Sequence, residues 1–194
     1  MLSRNTFLVK EKVGMFKSSN EYDIFCTESG AQIMNCREPS LGAFTRLLRF
    51  TDYKRMAPFN VVVSDASGNQ IVRVSRGFSI FNSRVNVFDH NDEDVGSFRQ
   101  KIFTFFRQKF QILDAQNNEV CALKAKSWKS WDFQFLVGDQ EVARISKKWA
   151  GLGKELFTSA DNYVLTIDPK VPDESVIRRL VIAAAMTIDM VLKE

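Results

Sequence analysis

The stretch that decides the fold lies near the C-terminus and reads Leu180-Val-Ile-Ala-Ala-Ala-Met-Thr-Ile-Asp-Met-Val-Leu192. Its first seven residues are all apolar, so a helix formed here has no face suited to water and must be enclosed by lipid or by protein. The stretch is shorter than the roughly 20 apolar residues that a bilayer span needs, and it contains Asp189. It therefore predicts a helix buried inside the protein and capped by Asp173. The rest of the chain must supply the enclosure.

Ahead of this stretch the chain is dominated by short strand-forming runs joined by turn sequences. A clear case is Phe59-Asn-Val-Val-Val63, which is followed by the turn Ala66-Ser-Gly-Asn69 and the alternating run Gln70-Ile-Val-Arg-Val74. Such runs on both sides of a Gly- or Asn-containing turn are typical of a β-hairpin. The order recurs around residues 28–30, 91–93, 116–118 and 138–139, and runs at 7–13 and 163–167 add two further strands. We therefore expect about 12 strands.

Many antiparallel strands and one apolar helix favour a closed barrel, because closure removes unpaired sheet edges and the lumen can hold the helix. The expected fold class is mainly β (α+β), a closed antiparallel barrel of about 12 strands around a buried C-terminal helix. A second, short helix is predicted over Ser40–Arg49, where Leu41, Phe44 and Leu48 recur at helical spacing. No change of composition divides the chain. Residues 1–194 are therefore expected to form a single domain.

Composition places the chain in a broad class. Its formal net charge is +4, with an isoelectric point near 9.0, which favours anionic partners without identifying them. The cysteines, Cys26, Cys36 and Cys121, have no metal-site spacing, so we expect buried thiols in a reducing compartment. Residues 1–10 lack the apolar core of a signal peptide. The expected location is cytoplasmic, with peripheral attachment to a membrane, and the expected state is a monomer.

Catalytic groups are sparse. His90 is the single histidine, so sites that need two or three imidazoles are excluded, and its polar surroundings predict an exposed turn residue. The acidic residues 92–94 next to it are interpreted as solvated surface. No nucleotide-binding, nucleophile-elbow or zinc-protease motif occurs. The sequence therefore predicts a protein that is not an enzyme and that uses no cofactor.

Basic and tryptophan residues are concentrated between positions 107 and 149. If Asn117-Asn118 is a two-residue turn, Lys109 lies opposite Lys126 and Gln111 lies opposite Lys124, and a turn at 138–139 places Trp128 opposite Trp149. Like charges directly opposite each other destabilise a sheet, so this arrangement indicates either an anionic partner or a wrong register. The candidate surface, called here the basic tryptophan surface, consists of Arg107, Lys109, Lys124, Lys126, Lys129, Lys147, Lys148, Trp128, Trp131 and Trp149.

Three interpretations of this surface stay open. Aromatic rings beside cations suit the headgroup layer of an anionic phospholipid membrane. The same mixture could stack and neutralise single-stranded nucleic acid, which we consider the weaker alternative. The third interpretation has the tryptophans closing the barrel rim and the lysines serving solubility, with another protein as the partner. A second basic patch, Arg46, Arg49, Lys54 and Arg55, flanks the predicted short helix and can equally be its solvated face.

The sequence resembles the Tubby C-terminal-like superfamily, which includes Tubby domains, phospholipid scramblases and LURP-one-related proteins. The resemblance rests on the strand–D-x-x-G–strand unit at 59–74, on Ser159-Ala-Asp-Asn-Tyr163 with the strand and apolar helix that follow, and on Phe7–Phe16, which looks like the short LURP-one-related kind. It spans nearly the whole chain through pattern and order. It implies a 12-stranded barrel around a C-terminal helix, and it implies phospholipid scrambling as an alternative function.

The resemblance also implies a calcium segment just ahead of the helix. Asp161 matches an acidic position of that segment, with Asp168 and Asp173 as weaker candidates, whereas Ser159 stands where a carboxylate is expected. Calcium takes six to eight oxygen ligands, and this set supplies few of them. The proline-rich arm and the cysteine cluster of scramblases have no counterpart in these residues.

Overall fold

The structure is a computed structural model that describes residues 3–12, 21–39, 57–78, 84–100, 109–127, 131–147 and 162–192. Within these ranges the side chains of residues 100, 109, 126, 127 and 189–192 are not described. The short helix predicted over Ser40–Arg49 therefore lies outside the described residues.

The described residues form twelve strands and one helix, α1. Their bounds are β1 Thr6–Glu11, β2 Tyr22–Cys26, β3 Gln32–Arg37, β4 Phe59–Asp65, β5 Gln70–Arg76, β6 Arg84–Phe88, β7 Asp94–Gln100, β8 Lys109–Asp114, β9 Glu119–Ser127, β10 Asp132–Val137, β11 Gln140–Ser146, β12 Asn162–Ile167 and α1 Val176–Leu192. Each strand predicted from the sequence is present, with its ends shifted by at most a few residues.

The strands close into one antiparallel barrel in chain order. Each strand pairs with its neighbours in sequence, and β1 pairs with β12, with Phe7 opposite Leu165 and Val9 opposite Tyr163. Side chains alternate between the lumen and the outside. On β4 and β5, for example, Val63 and Val72 lie opposite each other and are both fully buried. The predicted fold class is confirmed.

Helix α1 occupies the lumen, as predicted. The side chains from Leu180 to Ile188 are buried, and the Tyr163 hydroxyl on β12 donates a hydrogen bond to the Ala185 carbonyl at 2.8 Å. The prediction that Asp173 caps the helix is wrong. Ser175 is the cap, because its Oγ accepts the backbone N–H of Arg178 at 3.2 Å, the bond that an N-cap side chain makes.

Arg178 fixes the first turn of α1 inside the protein. It is fully buried, its Nη1 donates to the Arg4 carbonyl at 2.8 Å, and its Nη2 donates to Asn5 Oδ1 and the Val171 carbonyl, both at 2.9 Å. Asp173 lies 3.5 Å from the same guanidinium and supplies the opposite charge. The start of the helix is thereby tied to the start of β1 and to the segment after β12.

Three hairpins have the same type of turn, and each of these turns begins with an aspartate. Asp65, Asp89 and Asp114 each accept backbone N–H groups two or four residues further on through Oδ1, at 2.8–3.0 Å. The fourth residue of each turn has a positive φ: Gly68, Asp92 and Asn117. These are three-residue loops followed by a bulge, a common hairpin connection.

The same turn explains why the predicted register of β8 and β9 is wrong. The connection spans Asp114–Asn118 and adds a β-bulge between Ile112 and Leu113, so it is not a two-residue turn. Lys109 therefore lies opposite Lys124 instead of Lys126. In the β10–β11 hairpin the expected register holds for Val137 opposite Gln140 and then shifts at a bulge after Phe135. The predicted Trp128–Trp149 pair lies outside the described residues.

The barrel has two different ends. The hairpin end holds the turns at 27–31, 65–69, 89–93, 114–118 and 138–139, the segment 168–175 and the first turn of α1. The loop end is where the other connections, 12–21, 38–58, 77–83, 101–108, 128–131 and 147–161, leave and re-enter the strands. Helix α1 runs from the hairpin end toward the loop end.

Candidate functional site

The two ends differ in charge and in aromatic content. By sequence, the hairpin-end segments, with the first turn of α1, contain ten Asp or Glu residues against three Lys or Arg residues, and no phenylalanine, tyrosine or tryptophan. The loop-end connections contain twelve Lys or Arg residues against five acidic ones, with thirteen aromatic residues and all three tryptophans. The topology attaches both predicted basic groups to the loop end, although they are far apart in sequence. The loop end is therefore the candidate site.

Two cross-strand pairs of like charge lie toward this end on the barrel wall. Lys109 is directly opposite Lys124 on β8 and β9, and Arg84 is directly opposite Arg99 on β6 and β7. Opposed like charges cost stability in a sheet. The strand register thus places like charges opposite each other, as expected from the sequence, with Lys124 in place of Lys126 opposite Lys109.

Among the described side chains of these pairs, Lys124, Arg84 and Arg99 have no carboxylate partner. The ion pairs formed by the described residues include neither Lys124 nor Arg99, and the Arg99 side chain is exposed. Arg84 donates to the neutral Asn117 side chain at 2.8 Å. Arg144 on β11, in contrast, makes a two-pronged bond to Asp132 at 2.7 and 2.5 Å, which raises the pKa of the guanidinium. Positive charge on β6–β9 is therefore available to an anion.

Trp131 and Lys147 lie together at the loop end. The Lys147 ammonium is 5.0 Å from the centre of the Trp131 ring, within the range of a cation–π contact. The ring also packs edge-on against Phe133 and lies nearly parallel to Tyr163, with centroids 5.6 and 6.3 Å away. Trp131 is half-buried, so part of the ring is anchored in the core while part faces outward.

Phe78 is a feature of the loop end that the sequence analysis missed. It lies shortly after β5, and 56% of its surface is exposed, the largest exposure among the described large apolar residues. Its position two residues beyond the strand end, after Gly77, was a signal that it leaves the core. An exposed phenylalanine at the cation-rich end of the barrel is a combination that favours a membrane interface.

The remaining predicted residues are only partly described. Lys126 lies on β9, but its side chain is not described. The other members of both basic groups lie outside the described residues: Arg107, Lys129, Lys148, Trp128, Trp149, Arg46, Arg49, Lys54 and Arg55. Their participation in a binding surface stays a prediction.

The weak calcium candidates are engaged in local structure. Asp168 Oδ1 accepts the backbone N–H of Lys170 at 2.8 Å, and Asp173 pairs with Arg178. Asp161 lies outside the described residues. Across the parts of the chain that the structure describes, no three metal-ligating side chains come together.

The cysteines and the histidine follow the sequence prediction. All three thiols are buried and free, and burial raises the pKa of Cys36 above its usual range and that of Cys121 to about 12. Cys26 differs, because a hydrogen bond from the Ser29 side chain and the nearby Arg4 guanidinium, 2.8 Å from Sγ, lower its pKa. His90 is an exposed turn residue, 3.7 Å from Asp89.

No helix within the described residues is long and apolar enough to cross a membrane.

Comparison with known proteins gives matches to one family. The family model named Scramblase matches residues 3–194. A phospholipid scramblase family protein of Schizosaccharomyces pombe is 24% identical over 180 residues, which cover 85% of this chain and 46% of that protein. The Altered inheritance rate of mitochondria protein 25 of Saccharomyces cerevisiae is 25% identical over 177 residues, covering 79% of this chain and 53% of that protein. No solved structure matches. The chain thus spans about half the length of these relatives.

Proposed function

The chain belongs to the scramblase family, and from that membership we propose that it is a non-enzymatic domain that docks on anionic phospholipid surfaces. The loop end of the barrel faces the membrane, and attachment is peripheral. The finer kinship to LURP-one-related proteins stays a prediction.

The observation that carries this proposal is the separation of charge between the two ends. An anionic leaflet attracts the loop end, with its excess of cations, and repels the acidic hairpin end, so the field of the protein alone orients it. Each Lys or Arg held near such a leaflet contributes about 1 kcal/mol. Phe78 and the outer part of Trp131 would add apolar contact at headgroup depth.

Vesicle flotation with a matched pair of double variants tests the proposal. Lys124→Gln with Lys147→Gln removes two charges from the loop end, and Lys170→Gln with Arg179→Gln removes two from the hairpin end. The loop-end variant should lose about 2 kcal/mol of docking energy, a roughly thirty-fold weaker affinity for vesicles containing phosphatidylserine. The hairpin-end variant should bind like the wild type, and binding should weaken with salt.

A second matched pair tests the apolar contribution. Phe78→Ala should weaken flotation, whereas Val176→Ala, which removes an exposed apolar side chain at the hairpin end, should not. Absence of wild-type binding to anionic vesicles at low salt would overturn the proposal. An equal loss of vesicle affinity in the two double charge variants would contradict the proposed orientation, in which the loop end faces the membrane.

Transfer of phospholipid between leaflets is a second candidate, favoured by the family match. Exchange of fluorescent lipid in proteoliposomes, with and without calcium, would detect it. Docking on vesicles without lipid exchange in either condition would support the docking proposal and would contradict phospholipid transfer between leaflets.

A further inference from the structure

Trp131 holds a backbone conformation that its side chain disfavours. Its φ is 50°, in the left-handed region, where the Cβ of any residue other than glycine is crowded against the following carbonyl oxygen. The other non-glycine residues with positive φ in the described part of the chain are Asp92 and Asn117, which are residue types that tolerate this region and lie in hairpin turns. A tryptophan keeps such a conformation only where its surroundings hold it there.

Three side chains hold the Trp131 ring. Two of them are buried aromatic residues: Tyr163 lies nearly parallel to the ring with centroids 6.3 Å apart, and Phe133 packs edge-on at 5.6 Å. The third is Lys147, whose ammonium lies 5.0 Å from the ring centre and whose backbone N–H donates to the Trp131 carbonyl at 3.3 Å. The strained residue is therefore held partly by the core and partly by a loop-end cation.

Tyr163 connects Trp131 to the central helix. Its side chain is buried, and its hydroxyl donates to the Ala185 carbonyl at 2.8 Å. Ala185 lies in the middle of α1 and is fully buried. The contacts of Lys147 with Trp131, of Trp131 with Tyr163 and of Tyr163 with Ala185 thus join the loop-end surface to the helix without a gap.

An anionic surface competes with the Trp131 ring for Lys147. The attraction of a lysine to an anionic leaflet is at least as strong as a cation–π contact at an exposed site. Once the ammonium leaves, the left-handed backbone of Trp131 loses one of the contacts that offset its strain, and the freed indole ring suits the headgroup layer. Docking therefore favours a second arrangement of Trp131, in which the ring no longer stacks on Tyr163.

We propose that docking of the loop end on an anionic membrane surface loosens α1, because it draws Lys147 from Trp131 and the Trp131 ring from Tyr163. The inference rests on the proposed function and adds a response of the central helix to the docked state. Tyr163 then holds the Ala185 carbonyl less firmly, and the backbone amides around Ala185 open more often.

Amide hydrogen exchange without denaturant, where local openings dominate, tests the link in solution. Exchange in residues 181–187 of α1 is compared with that in residues 84–88 of β6, which lies six strands from β12 around the barrel. Lys147→Met should raise this ratio by about two- to five-fold, the equivalent of one cation–π contact. Lys124→Met, at a loop-end cation with no ring contact among the described residues, should leave it unchanged. In a Tyr163→Phe background, which lacks the hydroxyl, Lys147→Met should have no effect.

Vesicles of phosphatidylcholine with phosphatidylserine supply the docked state. They should raise the exchange ratio of the wild type at least about two-fold, and pure phosphatidylcholine vesicles should not. Lys147→Met should show no further rise on the anionic vesicles, because the contact that docking removes is already absent.

The outcomes separate the inference from the proposed function. An unchanged ratio in Lys147→Met, an equal rise in Lys124→Met, or an effect of Lys147→Met that persists with Tyr163→Phe overturns the link from Lys147 to α1. A wild type that floats with anionic vesicles while its α1 exchange stays the same overturns the inference and leaves the proposed function standing. Absence of flotation overturns the proposed function, and with it docking as the trigger.

Discussion

The hairpin end and the loop end are built from the same twelve strands, but different interactions complete them. At the hairpin end, turn carboxylates accept backbone N–H groups and Arg178 satisfies three oxygen atoms. At the loop end, cations oppose one another across β6–β7 and β8–β9 without carboxylate partners for Lys124 or Arg99. The loop end also has paired charges, such as Arg37 with Glu21 and Arg144 with Asp132, but Lys124 and Arg99 remain available to a partner. The difference indicates that stability and binding are located at opposite ends.

The largest effect is expected at Arg178. Arg178→Ala removes a buried guanidinium and leaves the Arg4 and Val171 carbonyls without this donor, so unfolding free energy should fall by about 3–5 kcal/mol. Urea denaturation measures it, with Arg178→Lys as a milder variant if the alanine protein does not fold. Arg179→Ala, which breaks an ion pair with the exposed Glu174, should cost less than about 1 kcal/mol. Equal losses at the two positions would contradict the assigned role of Arg178.

A glycine at each end gives the next contrast. Gly96 on β7 has φ 145°, and an added Cβ would lie 2.1 Å from the Leu113 carbonyl oxygen. Gly96→Ala should therefore cost about 1–3 kcal/mol, because β7 and β8 must separate or strain. Gly77 near the loop end has open space around it, and Gly77→Ala should change stability by less than about 0.5 kcal/mol. Thermal denaturation compares them, and a neutral Gly96→Ala would refute the close approach of the strands.

Acid should affect the hairpin end first. The Asn69 side chain and backbone N–H groups lower the pKa of Asp65, and Asn118 does the same for Asp114. A carboxyl group whose pKa is lower in the folded state stabilises above its unfolded pKa, near 3.9, and this contribution disappears as the pH falls through the folded value. Urea midpoints at neutral and acidic pH should therefore diverge less for Asp114→Asn than for the wild type. If the difference between the two urea midpoints is the same in Asp114→Asn and the wild type, Asp114 does not contribute to the loss of stability in acid.

The smallest effect is expected at the loop end. Lys147→Met removes the charge above the Trp131 ring and should cost about 0.5–1 kcal/mol of stability. Lys124→Met should be neutral or slightly stabilising, because it relieves the opposition with Lys109. Chemical denaturation of both variants measures these changes. A large loss at Lys124 would show that this lysine serves the fold.

Periodicity and turn chemistry were sufficient to predict the architecture. Alternating runs on both sides of Gly or Asn turns identify the strands, and the uninterrupted apolar run at 180–186 identifies the enclosed helix. The registers were less predictable. Each Asp-based turn has a three-residue loop in place of a two-residue turn, and this difference is visible only in the positive φ of Asn117 and of the equivalent residue in the other two turns.

Single side chains were harder to predict than patterns. An arginine just ahead of an apolar stretch, such as Arg178, looks like a solvated charge, because the three oxygens that accept its hydrogen bonds come from segments up to 174 residues away. Asp173 was predicted to cap the helix for the same reason, but it forms an ion pair with Arg178. The sequence predicted that like charges lie opposite each other. It did not predict the pair Arg84 and Arg99, because this pair depends on which strands are neighbours.

The placement of α1 after all twelve strands has a consequence for synthesis. The barrel closes only when β12 pairs with β1, and the lumen is filled by the segment translated next. While the strands emerge from the ribosome, their lumen-facing valines and phenylalanines have no core to pack against, so these chains depend on delayed collapse or on a holding chaperone. We expect nascent chains stopped before Val176 to remain sensitive to protease despite containing every strand. The strands therefore pack around a segment that is made after all of them.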